Sequence, residues 1–244
     1  MDLSIIIPTF NEAGEIEATL EKVAAAIDGC ALDAEVLVVD GGSTDGTCEL
    51  VKKTGGVKFI HNAPGRAAQM NEGARAAGGE RLLFLHADTH LSAECLILLE
   101  GSDYANHEGV YSFRLGFRGQ EDAYRTMERG VAWRCRTFDL PYGDQGLVIG
   151  RERFAGLGGF DETAMLEDVE FVLRLREQGM RMEIIPAVVS TSVRQWDRQG
   201  VVWGITFNLA RLAMAIMLFY FEGAGSSRKQ AGLESPSSTI ISES

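Results

Sequence analysis

The chain has 244 residues, of which 45% are hydrophobic and 24% are charged, a globular composition that excludes wholesale disorder. Its 23 basic and 35 acidic residues give a net charge of −12, which argues against nucleic-acid binding because such proteins carry a basic surface. Four scattered cysteines without a C-x-x-C pair indicate neither a zinc site nor a disulfide framework. With no signal-peptide pattern at the N-terminus, the sequence predicts a reduced, cytoplasmic protein.

Short apolar runs alternate with amphipathic segments over the first hundred residues. Leu3–Ile7, stopped by Pro8, and Glu35–Asp40 have the apolar character of strands that are buried on both faces. Asn11 is a candidate cap for the helix between them. The further elements expected here are a helix from Thr44 or Asp45, a strand at 57–60, a helix at 67–77 and a strand at 81–85. This alternation predicts an α/β fold with a doubly wound, mostly parallel sheet flanked by helices.

Beyond residue 100 the alternation is less regular. Val110–Leu115 alternates like a strand, and a stripe from Tyr124 to Cys135 has helical spacing. A glycine-rich stretch at 156–160 leads into a helix from about Ala164 to Gln178, and residues 181–189 indicate a late strand. With no internal repeat and no linker, we expect one domain over residues 1–222, followed by a disordered tail at 223–244.

The segment Val201–Phe221 has the length of a membrane span but contains Asn208 and Arg211. An arginine inside a single span costs about 2.5 kcal/mol or more. Three interpretations stay open: a buried C-terminal helix, a helix on a membrane surface and a true span.

Three polar clusters follow predicted strands, at residues 8–12, 40–45 and 86–90. Ligands of open α/β sheets bind at the carboxyl ends of the strands, so these clusters mark a candidate site. Gly41–Thr47 has the glycine spacing of a P-loop without its lysine, and no G-x-G-x-x-G follows the first strand. The clusters therefore carry carboxylate chemistry rather than a familiar phosphate-binding motif.

Two of the carboxylates end apolar strands. Asp40 needs a ligand or a donor in such surroundings, and capping of the next helix is the alternative. Asp88 lies beside His86 and His90, a combination that suits Mg²⁺ or Mn²⁺, and here too helix capping is the alternative.

The third carboxylate, Asp168, lies on the helix predicted at 164–178. Its neighbours at i±3 and i±4 are apolar, whereas Glu167 falls on a solvent-facing side. A carboxylate at the edge of an apolar face acquires a raised pKa, which suits a general base. The alternative is an acidic residue that only stabilises the first helical turn.

Four ordered motifs closely resemble family 2 glycosyltransferases with the GT-A fold. They are Ser4–Glu12, Val38–Thr47, Phe84–Thr89, and Gly158–Glu162 followed by Glu167-Asp168. Together they span about residues 2–200. The pattern Gly-Arg-x-x-Gln-x-Asn at 65–71, with Leu-His-Ala-Asp-Thr at 85–89, resembles a bacterial subgroup known as the radical-SAM/selenodomain-associated transferase 2 proteins.

The resemblance implies a nucleotide-binding half at 1–100, an acceptor half at 101–200 and an apolar helix at 201–222. Asp88 and His86 would hold Mg²⁺ or Mn²⁺, and Asp168 would be the catalytic base. Asp144, Gln145 and Glu167 would face the acceptor. The residues implied for the nucleotide-diphospho-sugar donor are Pro8, Thr9, Asn11, Glu12, Asp40, Gly42, Ser43, Arg66, Asn71, Ala87 and Asp88.

The implied activity is inverting, metal-dependent transfer of one sugar to an acceptor hydroxyl, with uracil favoured as the base of the donor. His86 replaces the first Asp of the family's Asp-x-Asp pattern, which predicts a weaker or differently selective metal site. Processive members carry Gln-x-x-Arg-Trp, whereas this chain has Arg194-Gln195-Trp196-Asp197-Arg198, which argues against a polymerising synthase. Either Arg194 or Arg198 is a candidate contact for the diphosphate, and a solvated surface charge is the alternative.

The acceptor is the least defined partner, either a small molecule or a lipid-linked one. Six arginines between residues 114 and 136, together with the C-terminal helix, would suit an anionic lipid surface or a solvated helix face equally. This leaves a location at the inner face of the membrane open. The rival functions are a sugar-phosphate nucleotidyltransferase and a nucleotide-sugar-binding membrane-associated protein without turnover. The first lacks the glycine-rich basic loop that it needs after strand one.

Overall fold

A computed structural model describes residues 1–119, 121–138, 140–194, 213–214 and 216–217. Its strands are β1 (Leu3–Thr9), β2 (Ala34–Asp40), β3 (Val57–His61), β4 (Arg81–Phe84), β5 (Thr89–His90), β6 (Val110–Phe117), β7 (Leu147–Gly150) and β8 (Met182–Thr191). Its helices are α1 (Ile16–Asp28), α2 (Thr47–Lys53), α3 (Arg66–Ala76), α4 (Ala93–Glu100), α5 (Asp122–Phe138), α6 (Arg151–Gly156) and α7 (Glu167–Glu177), with a 3₁₀ turn at Gly143–Gln145.

All eight strands form one sheet in the order β3-β2-β1-β4-β7-β6-β8-β5. The pairs β3-β2, β2-β1, β1-β4 and β6-β8 are parallel, which confirms the mostly parallel α/β fold. The antiparallel strand β7 pairs with β4 on one side and with β6 on the other. The two halves of the chain are therefore joined through a continuous sheet.

Helices cover both faces of this sheet. Ile5 and Ile7 point toward α1, α2, α4 and α5, while Ile6 points toward α3, α6 and α7, because successive residues of a strand face opposite sides. Each of these three side chains is fully buried. Two apolar cores thus hold the sheet fixed, and the loops at its carboxyl edge rest on that rigid base.

Strand β1 extends past the predicted stop at Pro8. The carbonyl of Ile6 accepts a hydrogen bond from Leu85 on the β4 side, and the carbonyl of Thr9 accepts one from Gly41 on the β2 side. The main chain of Pro8 therefore faces the β4 side, beyond the last β4 residue, Phe84. The missing N–H of proline costs no ladder hydrogen bond at that place.

Three predicted helix starts were wrong. Asn11 does not cap α1, which begins at Ile16, and α2 begins at Thr47 rather than at Thr44 or Asp45. Helix α7 begins at Glu167 and not near Ala164, because the chain up to Leu166 is still extended or turning.

The predicted C-terminal helix at 201–222 and tail at 223–244 lie outside the described residues, apart from four helical positions at 213, 214, 216 and 217. Among the residues that the structure describes, no helix is both long and apolar enough to cross a membrane.

Candidate active site

Two loops at the carboxyl edge of the sheet, after β1 and after β2, are tied together by hydrogen bonds. The N–H of Asn11 donates to Ser43 Oγ (2.8 Å), and the N–H of Thr44 donates back to Asn11 Oδ1 (2.9 Å). The N–H of Ala13 donates to Asp45 Oδ2 (3.0 Å). Asn11 has a φ of 57°, a left-handed conformation that asparagine tolerates better than most residues. Its role is to join the two loops.

Asp40, at the end of β2, is fully buried and surrounded by donors of the same region. Its Oδ2 accepts the N–H groups of Gly42 and Ser43, both at 2.9 Å. Its Oδ1 accepts the hydroxyls of Ser43 (2.5 Å) and Thr9 (3.2 Å). Burial opposes ionisation of Asp40, but these hydrogen bonds outweigh it and lower the pKa. The carboxylate fixes the loop from within.

Pro8, Gly42 and Ala87 contribute backbone to the same edge. Gly42 has a φ of 92°, which a residue with a side chain rarely adopts. Ala87 is buried, and its carbonyl accepts a hydrogen bond from Thr19 Oγ1 (2.7 Å). Gln69, which sequence reasoning did not assign, donates to the carbonyls of Thr9 and Val39, both at 2.7 Å. The motif at 65–71 contains Gln69, but its partners lie 30 and 60 residues away.

Asp88 belongs to a set of five charged residues that we call the strand-end cluster: Glu12, Glu15, Asp88, Arg118 and Arg194. Arg194 Nη2 lies 2.6 Å from Glu12 Oε2, and Arg118 Nη2 lies 2.5 Å from Glu15 Oε2. Burial and the nearby charge of Glu15 raise the pKa of Asp88. Burial also raises the pKa of Glu12, whereas hydrogen bonds from Arg118 and Ser192 outweigh burial and lower that of Glu15. Neither Glu15 nor the pairing of Arg118 was predictable from the local sequence pattern, because the partners are 103 residues apart.

His90 lies beside this cluster rather than in a metal site. Its Nε2 is 2.8 Å from Arg118 Nη1, and burial and that guanidinium lower the pKa of His90. Arg194, a candidate for the diphosphate, is paired with Glu12 here. Arg198 lies outside the described residues.

A second set of charges, the helix-end cluster, brings together Arg66, Asp144, Glu167 and Asp168. Arg66, at the start of α3, forms a short ion pair with Glu167, at the start of α7. Glu167 is only 7% exposed, so the predicted solvent-facing position was wrong. The cause is Arg66, which lies 101 residues away and supplies the opposite charge that makes the burial of a carboxylate tolerable.

Asn71 also links α3 to the second half of the chain. Its side-chain amide donates to the carbonyl of Phe160 (2.9 Å) and accepts the N–H of the same residue (2.9 Å). The structure thus shows Asn71 holding the Gly-Gly-Phe turn.

Asp168 is oriented by backbone donors. Its Oδ2 accepts the N–H of Gly143 (2.8 Å), and its Oδ1 accepts the N–H of Val169 (2.9 Å). His86 lies on the same side, because a side chain added at Gly143 would approach both His86 Nε2 (3.1 Å) and Asp168 Oδ2 (3.2 Å). Burial and Arg66 lower the pKa of His86 to about 3, so the imidazole is neutral.

His86 and Asp88 therefore belong to different surroundings: the charges acting on His86 are Arg66 and Asp168, and those acting on Asp88 include Glu15. No group of three or more His, Cys, Asp or Glu side chains suited to hold a metal occurs in the part of the chain that the structure describes.

Asp144 and Gln145 occupy the 3₁₀ turn that faces Asp168. Burial raises the pKa of Asp144 to about 6, and the charge of Asp168 adds to the effect. Gln145 is buried and donates to the carbonyl of Phe113 (2.9 Å). Its Oε1 accepts from Arg134 Nη2 (3.2 Å). Gln145 therefore supports the turn, while Asp144 is directed into the helix-end cluster.

A small pocket adjoins Asp168. Most of its lining is apolar, including Phe84, Phe160 and Val172, and His86 lies at its wall. The charges of Asp168 and Asp88 both raise the pKa of Asp144, so the helix-end and strand-end clusters are neighbours. The strand-end cluster contributes Asp88, a carboxylate that is largely removed from solvent. The helix-end cluster contributes Asp168, a carboxylate that is oriented by two backbone N–H groups.

The chain is similar to known proteins both in sequence and in fold. The sequence model of glycosyl transferase family 2 matches residues 4–156. The succinoglycan biosynthesis protein ExoA of Rhizobium meliloti is 36% identical over 203 residues, covering 73% of this chain and 59% of that protein. The undecaprenyl-phosphate 4-deoxy-4-formamido-L-arabinose transferase of Aeromonas hydrophila is 31% identical over 129 residues, covering 50% of this chain and 39% of that protein. The chain thus spans between 39% and 59% of these relatives' length.

Solved structures share the fold. The mannosyltransferase PcManGT from Pyrobaculum calidifontis, in complex with GDP-Man and Mn²⁺, has a TM-score of 0.61 at 24% identity and covers 78% of this chain and 56% of its own. TarS 1–349 from S. aureus, in complex with UDP-GlcNAc, has a TM-score of 0.59 at 20% identity and covers 79% and 58%. The sheet and its helices are thus those of a GT-A glycosyltransferase, and because the sequence model matches more than half of its length, the chain belongs to glycosyl transferase family 2.

Proposed function

We propose that the protein is an inverting, metal-dependent glycosyltransferase that moves one sugar from a nucleotide-diphospho-sugar, with a UDP-sugar favoured, to an acceptor hydroxyl. The observation that supports this proposal is that Asp88 and Asp168 both lie near Asp144: the N–H of Gly143 donates to Asp168 Oδ2 (2.8 Å), and the charges of Asp88 and Asp168 both raise the pKa of Asp144. Transfer needs a site for the departing diphosphate on one side and a base on the other. The strand-end and helix-end clusters supply these two sides.

The donor would bind to the joined loops after β1 and β2. Asn11 is exposed and Ser43 is half-buried in these loops, so a nucleoside has access to them. Because all of the donors around Asp40 come from its own surroundings, we assign this carboxylate to shaping the loop rather than to contacting the base. PcManGT is in complex with GDP-Man and TarS with UDP-GlcNAc, which supports a nucleotide-sugar donor.

The residues present fit a divalent cation at Asp88. Within the part of the chain that the structure describes, the hydrogen bonds to this carboxylate are long ones from the hydroxyls of Thr191 (3.3 Å) and Thr89 (3.5 Å). Burial and Glu15 raise the pKa of Asp88 although Arg118 and Arg194 oppose them. Asp88 would be the protein ligand of Mg²⁺ or Mn²⁺, whereas His86 lies beside Asp168 in the helix-end cluster. When bound, the cation supplies neutralising charge for the departing nucleoside diphosphate. Arg194 would give up its ion pair with Glu12 and bind the diphosphate instead.

Asp168 would accept the proton of the acceptor hydroxyl as that oxygen attacks the anomeric carbon. Two backbone donors fix the carboxylate, and the apolar wall of the pocket limits the access of water. A single displacement from the face opposite the leaving group inverts the configuration. Asp144 would lie against the acceptor, while Glu167 and Gln145 keep Arg66 and the turn in place.

Three finer assignments remain part of the proposal. They are membership of the radical-SAM/selenodomain-associated subgroup, location at the inner face of a membrane, and membrane contact through residues 201–222. The structure gives four of the six arginines at 114–136 other partners: Arg118 pairs with Glu15 and Arg125 with Glu128. Arg134 stacks on Tyr142, and Arg136 donates to the carbonyl of Ala132. This weakens the case for an arginine-rich membrane surface.

The test is a thermal-shift panel of UDP, GDP, ADP and CDP with and without Mn²⁺ or Mg²⁺. A ligand that binds the folded protein raises its unfolding midpoint. We expect the largest rise in the unfolding midpoint with UDP plus cation. In a separate assay, we expect the protein to release UDP from a UDP-sugar when an acceptor is present. If none of these nucleotides moved the midpoint, the proposal would be wrong. The anomeric configuration of the product, read by NMR, tests inversion.

A further inference from the structure

The backbone of Asp88 is fixed by residues from the second half of the chain. Its carbonyl accepts hydrogen bonds from Arg118 Nη2 (2.9 Å) and from the N–H of Ser192 (3.2 Å). The hydroxyl of Thr191 donates to Asp88 Oδ1 (3.3 Å). Arg118 follows β6, Thr191 ends β8 and Ser192 comes next. The loop that carries the proposed cation ligand is therefore held by two strands that lie beyond β7 in the sheet.

Glu15, directly before helix α1, joins these two donors to each other. Its Oε2 lies 2.5 Å from Arg118 Nη2, and its Oε1 accepts the hydroxyl of Ser192 (3.0 Å). Arg118 and Ser192 thus each bind both the Glu15 carboxylate and the Asp88 carbonyl, and the four residues form a closed ring of hydrogen bonds. The side chains of Glu15 and Arg118 are only 14% and 26% exposed, so solvent screens this ion pair less than it screens a surface pair.

The shape of the Arg118 side chain matters as well as its charge. Its guanidinium reaches three partners at once: the Glu15 carboxylate, the Asp88 carbonyl and His90 Nε2 (2.8 Å). Its own N–H donates to the carbonyl of Thr191 (2.9 Å), which anchors the residue to β8. A lysine has the same charge on a single nitrogen, and it lacks the planar fork that serves several acceptors together.

We propose that Arg118 and Glu15 are positioning residues that hold Asp88 where its carboxylate binds the divalent cation. This inference rests on the proposed function, because it takes Asp88 as the cation ligand. It goes further in assigning a role to two charged residues that lie outside the sequence motifs. The second half of the chain then sets the cation affinity of a ligand that belongs to the first half.

The charge of Arg118 by itself predicts the opposite effect on the cation. A guanidinium close to Asp88 repels a divalent cation, so a purely electrostatic role would mean that loss of Arg118 strengthens cation binding. In the structure the charge of Glu15 offsets that of Arg118. What remains is the hold of the pair on the backbone of Asp88. Substitutions that conserve charge therefore separate the effect of position from the effect of charge.

The experiment measures the affinity of the full chain for UDP by calorimetric titration at several Mn²⁺ concentrations. Arg118→Lys keeps the charge and loses the fork, and Glu15→Asp keeps the charge and shortens the reach. In each variant we expect UDP affinity without Mn²⁺ to stay that of the wild type. The Mn²⁺ concentration that gives half of the effect on UDP affinity should rise about 10-fold or more, as when a partner that orients a metal ligand is lost. The double variant should resemble the single ones, because each change breaks the same ion pair.

Arg174→Lys is the matched control. Arg174 is 24% exposed, is paired with Glu170 and donates to the carbonyls of Leu157 and Gly159, so it loses a similar set of contacts. None of these partners belongs to the strand-end cluster. We expect this variant to lose stability in urea as Arg118→Lys does, and to show the Mn²⁺ dependence of the wild type.

The inference would be overturned if Arg118→Lys required no more Mn²⁺ than the wild type, or if Arg174→Lys required as much as Arg118→Lys. Urea unfolding shows that each variant is folded, and if Arg118→Lys does not fold, Glu15→Asp is judged by the same criterion. The two levels of the argument fail differently. A wild type without any effect of Mn²⁺ on UDP binding would refute the proposed cation site, whereas an effect that persists unchanged in the variants would refute only the positioning roles.

Discussion

Asp168 offers the most direct test of the chemistry, because backbone N–H groups hold both of its carboxylate oxygens, and an asparagine can keep one of these two hydrogen bonds. Asp168→Asn keeps the shape but removes the basic carboxylate. We expect the variant to bind nucleotide like the wild type and to transfer sugar about 10²- to 10⁴-fold more slowly, as for loss of a general base. Initial rates with UDP-sugar and the unfolding midpoint with UDP provide the measurements. Full transfer activity in the variant would remove Asp168 as the base, and Asp103→Asn serves as the control.

The carboxylate of Asp88 is predicted to connect nucleotide affinity to the divalent cation. In the wild type we expect Mn²⁺ to tighten UDP binding, and in Asp88→Asn we expect UDP affinity to be the same with and without Mn²⁺. Calorimetric titration with UDP at several Mn²⁺ concentrations measures this difference. An unchanged effect of Mn²⁺ in the variant would mean that other residues hold the cation.

Asp144 should destabilise the folded protein at neutral pH. Its pKa is raised from 3.8 in the unfolded chain to about 6 by burial, with Asp168 and Asp88 raising it and Arg134 and Arg66 opposing them. Between these two values the folded state holds the extra proton, so stability decreases as pH rises, and the full penalty of about 1–3 kcal/mol applies above the folded pKa. We expect Asp144→Asn to be more stable than the wild type by this amount at about pH 8 and equally stable well below the lower pKa. Denaturant unfolding at several pH values checks this. A variant that is less stable at high pH would show that Asp144 supports the fold.

At the scale of single residues, the sequence could identify carboxylates but not their partners. Asp40, Asp88 and Asp168 follow from strand ends and helix spacing. The burial of Glu167 depends on Arg66, and the role of Asn71 depends on Phe160, which is 89 residues away. Local spacing contains no information about such contacts, since tertiary packing alone creates them.

At the scale of elements, long apolar runs and periodic helices were predictable. Strands β1–β4, β6 and β8 and helices α1, α3 and α5 lie within a few residues of their predicted positions. The four-residue strand β7 was missed because Leu147–Gly150 is too short to show a period. It is this strand that joins the two halves of the sheet.

The packing of α3 on β1 gives a prediction with an internal control. A Cβ at Gly73 would lie 2.4 Å from Ile6 Cγ2, so Gly73→Ala should destabilise the protein by about 1–3 kcal/mol through overpacking. Gly130 on α5 has open space, and Gly130→Ala should stabilise the protein by about 0.5–1 kcal/mol through helix propensity. Urea unfolding of both variants decides the matter. Equal effects would mean that α3 is not closely packed.

At the scale of the whole molecule, the continuous sheet predicts one cooperative unit over the described strands. Because β7 hydrogen-bonds to both β4 and β6, neither half can lose its strands without disrupting the other. We expect a single thermal transition with equal calorimetric and van't Hoff enthalpies. We also expect UDP, bound near β1 and β2, to slow hydrogen exchange in β6 and β8. Two separate transitions would contradict the single domain that the sequence predicts.

Helix α3 has a consequence for recombination between relatives. It follows β3 in the first half of the chain, yet Arg66 and Asn71 are bonded to Glu167 and Phe160 in the second. A chimaera with its crossover near residue 100 would contain every helix and strand of the fold. It would nevertheless combine α3 of one parent with α7 of the other. Exchange of acceptor specificity among such enzymes should therefore succeed when residues 66 and 71 are taken from the same parent as residues 159–168. Donor specificity should be transferable by exchanging the loops after β1 and β2 alone.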